Sequence, residues 1–184
     1  MDTSTPDTIR QVYAEADCLH DATAVEAALD RMAAAITADL EASNPLVLCV
    51  LHGGLVTAGQ LLTRLDFPLQ VDYLHATRYR GRTSGGDLHW KAHPTHDLAG
   101  RAVLLVDDIL DEGLTLEALQ RYCREAGAAE VRTAVLVQKD LGRPPATSAD
   151  YIGLMVENRY VFGCGMDYHD YLRNAPGIYA VKGS

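Results

Sequence analysis

Three carboxylates crowd one short stretch of this chain. Asp107, Asp108 and Asp111 fall within the run VLLVDDILDEGLT, Val103 to Thr115. Adjacent acids of this kind can accept hydrogen bonds from hydroxyls, ligate a hard cation or carry a proton. Beside them stand Gly113 and Thr115 at the start of a helical pattern. Backbone N–H groups at a helix N-terminus suit a phosphate. Carboxylates next to a phosphate would repel it unless they bind something else. A phosphorylated sugar with a Mg²⁺ ion satisfies both demands: phosphate on the turn, sugar hydroxyls on the paired aspartates.

The elements around this stretch must place those groups. Val103 to Val106 is an unbroken aliphatic run, as in a strand buried on both faces. A loop then holds Asp111, Glu112 and Gly113. Thr115 is expected to cap a helix whose apolar positions are Leu116, Leu119, Tyr122 and Cys123. The carboxyl ends of such strands face the binding crevice of an open α/β sheet. A plain βα turn whose acids favour the helix dipole does not call for two adjacent acids at the strand end and a third in the loop.

The same strand-then-helix grammar recurs elsewhere. Two amphipathic helices open the chain, one through Ile9, Val12, Tyr13 and Ala16. The other is capped by Asp21 or Thr23 and faces inward with Val25, Ala28, Leu29, Met32, Ile36 and Leu40. Asp17, His20 and Asp21 read as loop and cap residues. Asn44-Pro45 ends the helix. Leu46 to Leu51 is a buried strand running into His52-Gly53-Gly54, with a helix from about Val56 to Arg64. The glycine pair allows either a ligand close to the backbone or an ordinary tight turn. Gln70 to His75 alternates like a strand, and Leu88 to Ala92 is a short return strand. Between them, Thr77 to Asp87 is rich in Arg and Gly, and reads as a solvated hairpin arm or a lid. Glu130 to Gln138 is a strand ending at Lys139, which projects either to solvent or into the site. Leu141 to Ala149 is a loop. Tyr151 to Met155 and Ile178 to Val181 are strand-like. His89, Trp90, His93 and His96 match no compact metal-ligand spacing and read as surface and hairpin residues.

Composition bounds the function. The 184 residues are 48% hydrophobic and 22% charged, enough for one globular domain with a substantial core. The net charge of −9 and the lack of a basic stripe argue against nucleic acid. Cys18, Cys49, Cys123 and Cys164 form no CxxC pair, which points to free thiols in a reducing cytosol. No N-terminal apolar leader and no membrane-length run stand out. The expectation is a cytoplasmic protein without nucleic-acid or membrane partners.

The run Val103–Thr115 closely resembles the phosphoribosyl-diphosphate (PRPP) motif of type I phosphoribosyltransferases. Val156 to Arg173 resembles the C-terminal base-binding segment of the hypoxanthine-guanine members. The resemblance spans about Leu46 to Arg173. It implies an α/β fold with a mostly parallel central sheet flanked by helices, forming one domain. The core would cover about 45–150, under a small hood from about 1–44 and 151–184. It implies transfer of a 5-phosphoribosyl group from PRPP to hypoxanthine or guanine, with Mg²⁺, in a homodimer or homotetramer.

Position by position, the resemblance makes Asp111 the general base. PRPP would be bound by Asp107, Asp108, Asp111, Glu112, Gly113, Leu114 and Thr115, by the diphosphate loop at His52 and Gly53, and by Arg173. A cis peptide falls at His52–Gly53 or close by. Many relatives carry Lys where this chain has His52. Lys139 would meet the exocyclic O6 of the base, selecting 6-oxopurines over adenine. Tyr160 would stack on the purine in place of the usual Phe (by pattern alone a core aromatic is the lesser alternative), with Val161 contacting the base edge. Asp108 and Asp167 would hold the metal. Arg78 and Tyr79 stand where the family's lid carries Ser-Tyr. Two other readings remain: a xanthine-preferring enzyme differing near Val161 and Met166, and a non-catalytic nucleotide-binding regulator of this fold.

Overall fold

A computed structural model describes residues 5–78 and 88–184. Helix α1 (Pro6–Glu15) leads to a short strand β1 (Asp17–His20) and the long helix α2 (Ala22–Leu40). Strand β2 (Leu46–Val50), helix α3 (Gly54–Leu62), and strands β3 (Gln70–Arg78) and β4 (Leu88–Ala92) follow. Then come β5 (Ala102–Leu110), α4 (Leu114–Glu125), β6 (Glu130–Asp140), β7 (Tyr151–Glu157), β8 (Val161–Phe162) and β9 (Ile178–Ala180).

The main sheet has six strands in the order β4-β3-β2-β5-β6-β7. All neighbours are parallel except β4, which pairs antiparallel with β3 at one edge. Alternation along β5 explains the layers. Leu104 and Val106 join the cluster that packs under α2 and α3, with Leu29, Met32, Ile36, Ala58 and Leu61. Val103 and Leu105 face the other way, against Leu119 and Cys123 of α4. Both faces are covered, so the strand carries no polar residue until its carboxyl end. Each fully buried Leu of this layer contributes about 1.5–3 kcal/mol by area removed from water.

The order of strands sets the place of the site. From β2 the chain crosses outward to β3, and from β5 it crosses the opposite way to β6. The carboxyl ends of β2 and β5 therefore flank a topological switch point, where a crevice opens.

A second sheet, β1-β9-β8, is antiparallel and joins the N- and C-terminal segments. Strand β1 was read as loop from the sequence. Three of its four residues pair with β9, Asp17 opposite Ala180, and that long-range partner supplies the order that local propensity does not. Helix α2 is capped by the Asp21 side chain on the Ala24 N–H at 2.9 Å, and its expected apolar face is buried throughout.

The aromatic and histidine groups near β4 have packing roles. Trp90 stacks on His93 at 4.2 Å, and the Tyr122 ring lies 4.5 Å from Trp90. The Asp72 carboxylate accepts from the backbone N–H groups of Tyr73, Thr95 and His96, from the Thr95 hydroxyl, and pairs with His96 Nδ1 at 2.8 Å. Burial pushes this carboxyl up, but those hydrogen bonds outweigh it and hold it well below the usual carboxylate range.

Candidate active site

Strand β5 runs further than its aliphatic core suggests. Pairing with β6 continues through Asp107 and Val135 to Leu110 and Gln138. Asp107 and Asp108 are thus strand residues, and the strand runs on past them to Leu110. Strand alternation sends their side chains to opposite faces of the sheet. Their carboxylates also turn back on the chain: Asp107 accepts from the Asp108 N–H at 2.9 Å, and Asp108 from the Ile109 N–H at 2.7 Å.

Burial pushes the Asp107 carboxyl well above its ordinary value, and the neighbouring Asp108 charge adds to it. Burial pushes Asp108 up as well. The Arg173 guanidinium opposes both shifts. Two acids held this way favour a cation or a hydroxyl donor beside them.

The loop Asp111-Glu112-Gly113 leads into α4. Gly113, at φ 81°, is the residue at the helix start, and no side chain caps the helix. Thr115, expected as the cap, lies inside the first turn. The cap position needs a left-handed backbone, which Gly adopts without a Cβ penalty, and the first N–H groups of α4 have no capping side chain. A cleft of about 630 Å³ is lined by Asp107, Asp108 and the turn from Asp111 to Thr115, with Ala76 and Thr77 of β3 on its far side.

Lys139, at the end of β6, reaches across to this turn. Its Nζ lies 2.9 Å from Asp111 Oδ2, and its side chain is only 13% exposed. The pair is therefore partly desolvated and worth more than an exposed one.

The β2 end approaches β5 closely. The cis peptide lies at Leu51–His52, one bond before the first position named from the sequence. Helix α3 starts at Gly54 and ends at Leu62, two residues earlier at each end than expected. The glycine pair has an internal reason. A Cβ on Gly53 would sit 2.1 Å from Asp108 Oδ2, and one on Gly54 would sit 2.4 Å from the Val106 carbonyl. The His52 ring meets His75 edge-on at 4.4 Å.

The C-terminal segment closes the other side. Gly165, at φ 106°, has its missing Cβ position 2.1 Å from the Gly53 carbonyl and 3.4 Å from Asp108 Cβ. Arg173 Nη1 donates to the Gly165 carbonyl at 2.7 Å, while Nη2 pairs with Asp167 at 2.7 Å. Asp167 Oδ2 in turn accepts from the Asp170 N–H at 2.9 Å. Tyr160 is 46% exposed, and the edge of Tyr168 supports its ring at 5.6 Å. Val161 is buried in β8, opposite Ala180.

Sequence comparison fits this geometry. The family model of the phosphoribosyl transferase domain matches residues 15–169. This chain belongs to the phosphoribosyl transferase family. It is 36% identical over 161 residues to the hypoxanthine-guanine-xanthine phosphoribosyltransferase of Tritrichomonas foetus, covering 87% of this chain and 88% of that one. It is 35% identical over 156 residues to the hypoxanthine-guanine phosphoribosyltransferase of Streptococcus pneumoniae, covering 84% and 87%. The solved structure of a hypoxanthine phosphoribosyl transferase of Trypanosoma cruzi superposes with a TM-score of 0.83 at 27% identity, covering 90% of this chain and 91% of that one.

Within this phosphoribosyl transferase the expected residues fall into two connected groups. Asp107, Asp108, Gly53, Asp167 and Arg173 surround the β2–β5 switch point, with Gly165 among them as an unexpected member. Asp111, Glu112, Gly113, Leu114, Thr115 and Lys139 form the turn and its partner. Arg78 ends β3, whereas Tyr79, the other half of the expected lid pair, lies outside the described residues. Sequence reasoning missed Gly165, and it placed the loop after β6 at Leu141 to Ala149 without foreseeing its contacts with the Glu112–Gly113 turn. The Gly163-Cys-Gly165 spacing was the one available signal for the former. The loop, polar and without periodicity, offered none.

Proposed function

We propose that this chain transfers the 5-phosphoribosyl group of PRPP to N9 of hypoxanthine or guanine, giving IMP or GMP and releasing diphosphate. The observation that carries this reading is the Lys139–Asp111 pair at 2.9 Å, set against the phosphate turn. A 6-oxopurine presents O6, an acceptor, beside N7. Lys139 donates to O6 while Asp111 takes the N7 proton, so one ion pair serves both atoms of that edge. Adenine places an amine donor at that position, which faces Lys139 without an acceptor.

The other roles follow from position. Backbone N–H groups from Asp111 to Thr115 bind the 5′-phosphate at the α4 N-terminus. Asp107 and Asp108 orient the ribose hydroxyls. Tyr160 stacks on the base and Val161 offers its backbone to the base edge. The His52–Gly53 loop and Arg173 receive the diphosphate. As the C1′–O bond breaks, charge on the departing diphosphate grows, and Arg173 stabilises it. The N9–C1′ bond forms as the N7 proton leaves to Asp111.

Mg²⁺ fits the residues present. Hard cations take oxygen donors, and Asp108 and Asp167 supply two; among the described residues no three such side chains are gathered at one point, so the substrate's own oxygens would complete the shell. The upward push on the Asp107 and Asp108 carboxyls is the cost that a bound cation removes. Asp108 and Asp167 are the holders we assign, and the ion would supply charge neutralisation for the diphosphate. We read residues 1–184 as one domain, with a core of about 45–150 and a hood from about 1–44 and 151–184. We further assign it to the cytoplasm as a homodimer or homotetramer; among the described residues no helix is long and apolar enough to cross a membrane.

The test is Lys139→Ala. The KM for hypoxanthine should rise by about ten- to a hundredfold, as expected for losing one charged hydrogen bond. Unchanged KM and turnover would remove Lys139 from base recognition.

A further inference from the structure

The segment after β6 does more than connect strands. Together with Lys139 at the end of β6, it touches three consecutive residues of the phosphate turn. Lys139 pairs with Asp111. The Ala146 N–H donates to the Glu112 carbonyl at 2.8 Å, and Arg143 pairs with the Glu112 carboxylate at 3.1 Å. Ala146 N and Thr147 N lie 3.2 and 3.1 Å from where a Cβ on Gly113 would stand. The segment is itself anchored on α4. The Thr147 hydroxyl donates to Gln120 Oε1 at 2.8 Å, and Gln120 Nε2 donates to the Ser148 carbonyl at 3.3 Å. Gln120 is 5% exposed, so both halves of its amide are committed inside the protein.

We propose that residues 143–148 form a strap, fastened by Thr147 and Gln120, that holds the phosphate turn in its anion-binding shape. Thr147 and Gln120 are positioning residues, acting through Glu112 and Gly113 without touching the substrate. The physical need is clear. The turn has no side-chain cap, and its cleft carries Asp107, Asp108 and Asp111, whose charges oppose a phosphate. Backbone N–H groups can outweigh that repulsion only when they are fixed in convergent directions. The Ala146 bond to the Glu112 carbonyl fixes one of the peptide planes in that turn. The arrangement also joins the element carrying the base-selecting Lys139 to the one holding the 5′-phosphate.

This inference rests on the reading of Asp111 to Thr115 as the 5′-phosphate site. Calorimetric titration of IMP and of inosine separates the two ideas, because inosine lacks the phosphate. The wild type should bind IMP far more tightly than inosine. Thr147→Val should reduce that preference about tenfold by weakening IMP alone, with inosine affinity unchanged. Thr147→Ser, which keeps the hydroxyl, should restore it, and Gln120→Met should reproduce the loss. A general loosening of the fold would weaken both ligands together, and that outcome overturns the strap. So does a Thr147→Val variant that discriminates as well as the wild type. A wild type that binds IMP no better than inosine would sink the phosphate-site reading itself, and the strap with it.

Discussion

Gly165→Ala is the sharpest stability test of how the site is held together. Gly165 joins the C-terminal segment to the His52–Gly53 loop and to Asp108. Its φ of 106° is a backbone region that side chains avoid. Its added Cβ would lie 2.1 Å from the Gly53 carbonyl oxygen. That neighbour is backbone, so it cannot swing aside as a flexible side chain could. Holding alanine at this φ costs about 1–3 kcal/mol. Overpacking adds about 1–3 kcal/mol. A total near 4 kcal/mol corresponds to a fall in Tm of about 8–16 °C for a chain of this size. Thermal unfolding followed by circular dichroism reads this directly. Gly59→Ala is the control: Gly59 lies inside α3 with nothing within 4 Å of its Cβ position. It should raise stability by about 0.5–1 kcal/mol through helix propensity alone. A Gly165→Ala protein melting within about 2 °C of wild type would refute the close three-way contact of Gly165, Gly53 and Asp108.

Two further outcomes are expected. Asp111→Asn should lower kcat by about 10²–10⁴-fold, the usual contribution of a general base, with a much smaller change in PRPP affinity; an unchanged kcat measured spectrophotometrically would end the base assignment. Asp107→Asn addresses the adjacent acid pair. Because folding raises the pKa of both carboxyls, the folded state binds more protons than the unfolded one, and their contribution to stability declines as pH rises above the ordinary carboxylate value. In metal-free buffer the stability gained by Asp107→Asn over wild type should therefore grow as pH rises above the ordinary carboxylate range; urea midpoints showing a constant or shrinking difference would contradict the shift.

The sequence was most readable where local pattern and chemistry coincide. The aliphatic run Val103–Val106 announces a strand covered on both faces, and the acids after it mark the crevice end. The apolar face of α2 was legible for the same reason, since helical periodicity is a local property. The strand boundary at Asp107 was not. Polar residues look like loop, yet pairing with β6 carries the ladder on to Leu110. Strand β1 was hidden because its order comes from β9, at the other end of the chain. The glycines illustrate the limit best. Gly53 and Gly165 could be noted in the sequence, but their shared reason is a contact between segments over a hundred residues apart. Thr147 and Gln120 were invisible for a similar cause, since a hydrogen bond across 27 residues leaves no periodic trace.

The most direct measurement is an ultraviolet assay of the purified protein with PRPP and Mg²⁺, offering hypoxanthine, guanine, xanthine and adenine in turn. The account predicts turnover of hypoxanthine or guanine, abolished by EDTA, with adenine inert because Lys139 requires an acceptor at O6. Turnover of xanthine alone would shift the assignment to the 2-position pocket near Val161 and Met166. Turnover of adenine, or silence with all four bases, would contradict the central claim.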